Sequence, residues 1–426
     1  MTVYEADWVC PATSEPIRDG AMAVERGRII QVGRRDQVAG AERVRYPGCA
    51  IVPGFVNPHT HLELTLFHGL LDNLGFADWI AKLVRIKYGV LDRDSLKASA
   101  RLGVLEMLQA GVTAVGEIMD VGTGWEAMRE FGLQGVAYQE VFGPDESMAS
   151  ESLHGLQEKV NDRRRQETET QRIGISPHAP YTVSKKLYEA VGDFARSEKL
   201  PMTAHIAESH DETLFVQDGA GHFAEAHRKR GIPVTQRHVS PIAYLDTLGL
   251  LGPDMLLVHT IEATDEDLRR IRDTGSFVAH CPRSNAKLGH RIARIAEMCR
   301  SGIAVSLGTD STASNDSIDM FEEMRLAVAQ QGLSAAEVFR MATIEGARAL
   351  GLDQSLGSLA AGKRADFAVI GLGGAVADPV EVMVAGADRT RVKATFLGGE
   401  AVSLDSSEIH EKVESIQKSL GRLEPL

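Results

Sequence analysis

The chain has 426 residues, 43% of them hydrophobic, enough for one large barrel or two ordinary domains with a well-buried core. Its 46 lysines and arginines are outnumbered by 59 aspartates and glutamates, a formal charge of -13, so a phosphate-backbone partner is not expected and nucleic acid is an unsuitable ligand. Cys10, Cys49, Cys281 and Cys299 are widely spaced with no CxxC pair, which signals neither a disulfide framework nor a structural zinc cluster and suits a reducing cytoplasm.

The opening MTVYEADWVC carries no basic segment followed by an apolar one, and no apolar run approaches the eighteen or so residues a membrane span needs, so neither export nor anchoring is expected. Residues 18–50 then read as short strands and turns, with DGAMAVERGRIIQVG as the clearest stretch. From residue 51 to 311, short apolar runs recur, each followed by a segment of helical period. They are IVPGFVNPH, VTAVGEI, LQGVAYQEVF, IGISPHA, PMTAHIAE, MLLVHTI, SFVAHCP and IAVSLGTD. Continuous apolar runs are the mark of parallel strands buried on both faces, and their alternation with helices predicts repeated βα units. Eight such units predict an α/β fold, a closed (β/α)8 TIM barrel.

Between the first two runs, Phe76 to Val90 has helical spacing in Trp79, Leu83 and Ile86 and is a candidate lid over the barrel mouth. Further on, Thr264 with Asp267 and Ser334 with Glu337 form capping-box patterns, and Gly275 stands where a C-terminal cap belongs. Residues 357–403 return to short strands (GSLAAGKRADFAVI, VKATFLGGEAV), and Ser406 to Leu420 reads as a peripheral helix. Neither flank can bury a sheet alone. The expectation is a small β-sandwich made jointly by residues 1–53 and 355–426, around a catalytic barrel of residues 54–354.

Polar groups recur at the ends of the runs. Residues two apart on a strand point to the same side, so His59 and His61 can aim two imidazoles at one ion. An HxH pair alone is weak evidence, but His205, His259 and Asp310 close three further runs, and barrel enzymes gather their catalytic groups at C-terminal strand ends. Independent burial of five unrelated polar groups at five such positions is the poorer explanation.

These residues sit in PGFVNPHTHLE (53–63), PHAPYTVS (177–184), TAHIAES (203–209), LVHT (257–260), HCPRSN (280–285), LGTDSTASN (307–315) and GSLAAGKRADF (357–367). Together they resemble the amidohydrolase superfamily over nearly the whole chain, specifically the aminohydrolases of purine-like rings and the related triazine chlorohydrolases. The resemblance implies that His59, His61, His205 and Asp310 ligate one divalent ion, Zn2+ in the first instance or Fe2+, and that Glu208, His259 and Asp310 are catalytic. Three imidazoles and a carboxylate leave an open position where a bound water reaches a pKa of about 7. Asp310 would accept its proton, Glu208 would protonate the ring nitrogen beside the attacked carbon, and His259 would orient the water or the leaving group. Two-metal relatives carry a carboxylated lysine at the fourth strand, whereas SPHAPY has no lysine until Lys185, which favours one metal.

Four further residues are candidates for substrate binding. His178 either meets the ring or ribose or makes a structural hydrogen bond, and Glu63 either orients a ligand or caps the next turn. Arg283 could face an anionic group, with the rest of HCPRSN shaping the loop. Deaminases of S-adenosylhomocysteine and methylthioadenosine usually carry a ribose-binding glutamate in the lid, yet FADWIAKLVRIKYGV offers Arg85 and Lys87 and no glutamate. That basic lid, with HTHLELT and RHVSPIAYLDTLGLL, is similar to the aminodeoxyfutalosine deaminases of the alternative menaquinone route, whose benzoate-bearing substrate Arg85 or Lys87 could pair with. Both could equally be a solvated helix face.

The function expected is therefore hydrolytic deamination of an amino-purine nucleoside with release of ammonia, with 6-aminodeoxyfutalosine as the first substrate. The alternatives are a methylthioadenosine/S-adenosylhomocysteine or other amino-heterocycle deaminase, a triazine-type chlorohydrolase, and a non-catalytic barrel. By resemblance the partners are a small-molecule substrate and, for such barrels, other copies of the chain in a homo-oligomer.

Overall fold

A computed structural model describes residues 1–403 and 407–421. Eight strands, β5 (Phe55–Thr60), β6 (Val112–Met119), β7 (Gln134–Val141), β8 (Gln171–Pro177), β9 (Met202–Ile206), β10 (Met255–His259), β11 (Phe277–His280) and β12 (Val305–Leu307), form one all-parallel sheet in sequential order. The ends of this sheet meet where the Asp310 amide donates to the His59 carbonyl at 3.1 Å, beside a parallel bridge between Thr60 and Asp310. That contact nearly closes the barrel. The eight apolar runs of the sequence each overlap one of these strands, and nearly every strand residue is buried, as strands covered by helices on one side and by the barrel interior on the other must be. Gly135 adopts φ +131° with Val115 O only 1.8 Å from where a Cβ would stand, so β6 and β7 tolerate no side chain at that crossing.

The chain ends build a second, seven-stranded sheet. It contains β1 (Thr2–Val9), β2 (Ile17–Glu25), β3 (Arg28–Arg34), β4 (Glu42–Pro53), β13 (Phe367–Gly371), β14 (Val392–Leu397) and β15 (Glu400–Ala401), ordered β15-β14-β13-β4-β1-β2-β3. Antiparallel pairing of β4 with β13 joins the two ends of the chain. Alternation along these two strands splits their side chains: Cys49, Ile51, Phe367 and Val369 enter a cluster with Tyr4, Met22 and Phe396 within the sheet's own concavity. Ala50, Val52, Ala368 and Ile370 join the barrel's main core instead.

Several elements depart from the sequence expectations. Strand β1 was not anticipated, because Val3 to Ala6 are buried on both faces and show no polar alternation. Pro379–Gly386 is a helix inside the stretch read as strands; Asp378 caps it by accepting from the amides of Val380 and Glu381, with Pro379 in the first turn. The C-terminal helix, Ser407–Leu420, is amphipathic and not peripheral: Ile409, Val413 and Leu420 pack on Leu64, Leu66 and Phe67, and Gln417 Nε2 donates to Leu66 O at 2.8 Å. The expected first residue of that helix, Ser406, lies outside the described residues. Both capping boxes form, and Gly275 ends its helix at φ 74°. Among the described residues, no helix is long and apolar enough to cross a membrane.

Candidate metal centre and substrate cavity

The strand ends of the barrel converge on a cluster of imidazoles and carboxylates. His59 and His61 leave β5, His205 lies on β9, His259 ends β10 and Asp310 follows β12. Ring centroids of His59 stand 5.0 Å from His61, 4.9 Å from His205 and 5.8 Å from His259. Asp310 Oδ1 lies 3.4 Å from Nε2 of both His59 and His61. One ligand atom from each of His59, His61 and Asp310 falls within 4.8 Å of the others, and so does one from each of His59, His205 and His259.

His59 is completely buried, and neither of its ring nitrogens has a hydrogen-bond partner among the described residues. Two orphaned nitrogens in the interior are costly unless an ion takes one of them. A three-imidazole, one-carboxylate donor set of this kind fits a divalent cation, with zinc, iron and manganese all compatible. Burial lowers the pKa of His59 and drives those of His61 and His205 far down, so all three rings are neutral and able to ligate. Burial pushes the Asp310 carboxyl up, but its side-chain contact with His59 and the neighbouring imidazoles outweigh this and hold it well below the usual carboxylate range.

The supporting contacts are specific. Ser284 and Ser314 hydroxyls donate to Asp310 Oδ2 at 2.6 and 2.7 Å. His205 Nδ1 lies 3.3 Å from the His178 carbonyl, which orients Nε2 away from it. Asn285 Oδ1 stands 2.9 Å from His259 Nδ1, so Nδ1 carries the proton and Nε2 faces Glu208 Oε1 at 3.6 Å. His290 Nε2 is also 3.6 Å from that oxygen. Burial raises the Glu208 carboxyl, but His259 and His290 bring it below its ordinary value. The Glu212 carboxylate accepts from the amides of Ala207 and Glu208 at 2.8 and 2.9 Å, fixing the turn that carries Glu208. The backbone is strained here: Ala207, His259, Thr260 and Asp310 have φ of 52°, 73°, 48° and 58°.

Above the cluster opens a cavity of about 560 Å³. His61, His178, His205, Glu208, His259 and Asp310 lie at its polar end. The helix Phe76–Gly89 covers it with Phe76, Trp79, Ile80 and Leu83, and Phe142 and Tyr181 complete the apolar wall. This is the segment expected as a lid. It is pinned where Trp79 Nε1 donates to Ala313 O at 2.9 Å, Lys87 pairs with Asp120 at 3.2 Å, and Tyr88 donates to Asp120 at 2.7 Å.

The structure brings together His59, His61, His178, His205, Glu208, His259 and Asp310 but not all of the proposed substrate contacts. Glu63 is buried and committed to the loop after β6. It accepts from the amides of Asp120, Val121, Gly122 and Thr123 at 2.7 to 3.1 Å and from the Thr123 hydroxyl at 3.1 Å, leaving nothing for a ligand. Arg283 turns away from the cavity to Ser317, Glu322 and Asp316. Arg85 is exposed and does not line the cavity, whereas Lys87, two residues on, is buried and does. Residues two apart on a helix differ by about 200°, so only one of them could face inward. Burial lowers the pKa of Lys87, but Asp120 and Glu140 more than reverse this and keep it cationic. Glu140, His290 and Arg230 were not foreseen. Spacing gave no signal for them, since each reaches the site from an element whose register depends on the whole fold.

A buried cluster of histidines and one aspartate at the C-terminal mouth of a (β/α)8 barrel, flanked by a carboxylate-histidine pair, defines a metal-binding hydrolase site. Residues 50–402 match the amidohydrolase family, and the chain belongs to it; it is a hydrolase acting on carbon–nitrogen bonds other than peptide bonds. It is 33% identical to a 5-methylthioadenosine/S-adenosylhomocysteine deaminase of Nitratidesulfovibrio vulgaris (strain Miyazaki F), over 93% of this chain and 91% of that one. Among solved structures, a zinc-bound adenosine deaminase from Xanthomonas campestris superposes with a TM-score of 0.87 at 26% identity, covering 99% of both chains. The Helicobacter pylori aminofutalosine deaminase, in complex with methylthio-coformycin, gives a TM-score of 0.84 at 23% identity over 95% of this chain and all of that one. At that identity the likeness is one of fold.

Proposed function

We propose that this protein hydrolytically deaminates an adenine nucleoside substituted at its 5′ position, with 6-aminodeoxyfutalosine, and hence menaquinone biosynthesis, as the specific reading. The observation that carries the reaction class is the Glu208–His259 pair set against the His59, His61, His205 and Asp310 cluster at the floor of a cavity whose wall is aromatic and apolar. A flat heterocycle fits such a wall, and a polar sugar does not need it.

In this reading His59, His61, His205 and Asp310 hold one divalent ion, which would supply Lewis acidity and an acidified water. Asp310, ionised and oriented by Ser284 and Ser314, accepts the proton of the attacking water. Glu208, ionised in the free site, takes the other proton of the water and passes it to the ring nitrogen beside the amino-bearing carbon. The proton held by Asp310 goes to the amino group, which leaves as ammonia, and His259, its tautomer held by Asn285, orients the attack and that departure. The lid excludes bulk water. Arg230 lines the cavity from an exposed position and has no ion-pair partner among the described residues, so it replaces Arg85 as the cation available to an anionic 5′ substituent such as a benzoate.

The test is a panel of adenosine, methylthioadenosine, S-adenosylhomocysteine and aminodeoxyfutalosine on zinc-, iron- and manganese-reconstituted protein, followed by the ultraviolet shift to a hypoxanthine ring and by ammonia release. Turnover of at least one, with aminodeoxyfutalosine showing the highest kcat/KM, is expected. Chloride release from a chlorotriazine with no turnover of any amino-purine would replace deamination by dehalogenation.

A further inference from the structure

One polar group in the cavity has no role in the chemistry above. Glu140, at the end of β7, lines the cavity with its side chain only 5% exposed, and its Oε1 has no hydrogen-bond partner among the described residues. It stands beside His178, 4.0 Å from Nε2 to Oε1. One oxygen of Glu140, one nitrogen of His178 and one of His205 all lie within 4.8 Å of one another, which puts Glu140 next to the cluster but beyond His178. Its neighbour Asp120 is engaged by Lys87 and Tyr88, and Glu140 is not. An unpaired buried carboxylate oxygen is expensive, and the cost disappears when a ligand donates to it.

The chemistry of an adenine nucleoside restricts what that donor can be. N1, N3 and N7 of the ring accept hydrogen bonds, and the 6-amino group is the leaving group held at the Glu208 end. The remaining donors are the sugar hydroxyls. A carboxyl group offers two oxygens to a vicinal diol, accepting from both hydroxyls when ionised and accepting from one while donating to the other when protonated. We infer that Glu140 is a specificity-determining residue that hydrogen-bonds the 2′- and 3′-hydroxyls of the substrate ribose, so that the sugar is recognised from β7 of the barrel. The inference rests on the nucleoside reading and identifies the part of the nucleoside that this wall binds.

The experiment compares adenosine, 2′-deoxyadenosine and 3′-deoxyadenosine on the metal-loaded wild type and on Glu140→Gln, with Glu140→Asp as a second variant. Inosine affinity is measured alongside by titration, and metal content and thermal unfolding report folding. The wild type is expected to favour adenosine in kcat/KM by about tenfold over either deoxy form, as for loss of one buried hydrogen bond. In Glu140→Gln that preference is expected to shrink to about twofold, with inosine bound about tenfold more weakly. A wild type that treats the three nucleosides alike overturns the inference without any variant, and so does a folded Glu140→Gln that keeps the full preference. In either case the deaminase reading stands, because adenosine is still turned over. Failure to turn over any amino-purine nucleoside defeats that reading, and this inference with it.

Discussion

Glu208 and Glu63 are both buried glutamates beside the first and fifth barrel strands, and their surroundings give them opposite roles. Glu208 faces the cavity with the imidazoles of His259 and His290 each 3.6 Å from Oε1, so it is placed to exchange a proton. Glu208→Gln is expected to lower kcat by at least about a hundredfold, the usual contribution of a positioned general acid, while retaining its metal. Steady-state kinetics with metal analysis checks this, and a variant losing both together would make Glu208 a support for the metal site instead. Glu63 is saturated by four amides and a hydroxyl. Glu63→Gln should cost about 2–3 kcal/mol of stability, since a buried charged acceptor is replaced by a group whose NH2 opposes those donors. Urea unfolding measures the loss, and a variant as stable as the wild type would remove Glu63 from the loop-anchoring role. From sequence the two glutamates were indistinguishable in kind, because what separates them is which backbone the fold delivers to each carboxylate.

At the scale of elements, the lid helix Phe76–Gly89 matters most. Its apolar stripe of Trp79, Leu83 and Ile86 was legible from the 3.6-residue period, and so was its place over the mouth. The sequence left open whether Arg85 or Lys87 turns inward, although Lys87 is four residues from Leu83 and so lies on that stripe. Asp120 anchors the helix through Lys87 and Tyr88. Asp120→Asn removes the charge from both contacts, and hydrogen exchange is expected to rise at least about tenfold across residues 76–89, with the barrel strands unchanged. Exchange rising equally in β5 to β12 would show that Asp120 supports the barrel and not the lid. The strand-end residues were easier to read than the helix, because a parallel barrel brings all C-terminal strand ends to one face whatever the connecting segments do.

For the whole molecule, buried ionisable groups set the dependence of stability on pH. Burial raises Glu140, Glu212 and Glu323 from 4.5 to about 8 in each case. Between those values the folded chain holds protons that the unfolded chain has lost, so these groups reduce stability as pH rises, completely so only above about 8. Histidines act in the other direction: burial lowers His178 from 6.5 to about 4 and His280 to about 3, so their contribution grows with pH and is complete by 6.5. Between 6.5 and about 8 these carboxylates still change charge while the two histidines no longer do. The metal-free protein should therefore lose thermal stability between pH 6.5 and about 8, less steeply in Glu323→Gln, and a Tm unchanged over that range would contradict the assignment.

The amino-acid sequence by itself determined the barrel, the joining of both chain ends in one small β unit, expected as a sandwich and found as a single seven-stranded sheet, and the convergence of His59, His61, His205, His259 and Asp310. These follow from local periodicity and from a topology that carries every strand end to the same mouth. Only the tertiary structure decided what lines the rest of the cavity. It turned Arg283 and Arg85 away, occupied Glu63 with backbone amides, and brought Glu140, His290 and Arg230 inward. Those outcomes depend on the packing of loops and helices against strands distant in sequence, and no short-range pattern encodes that packing.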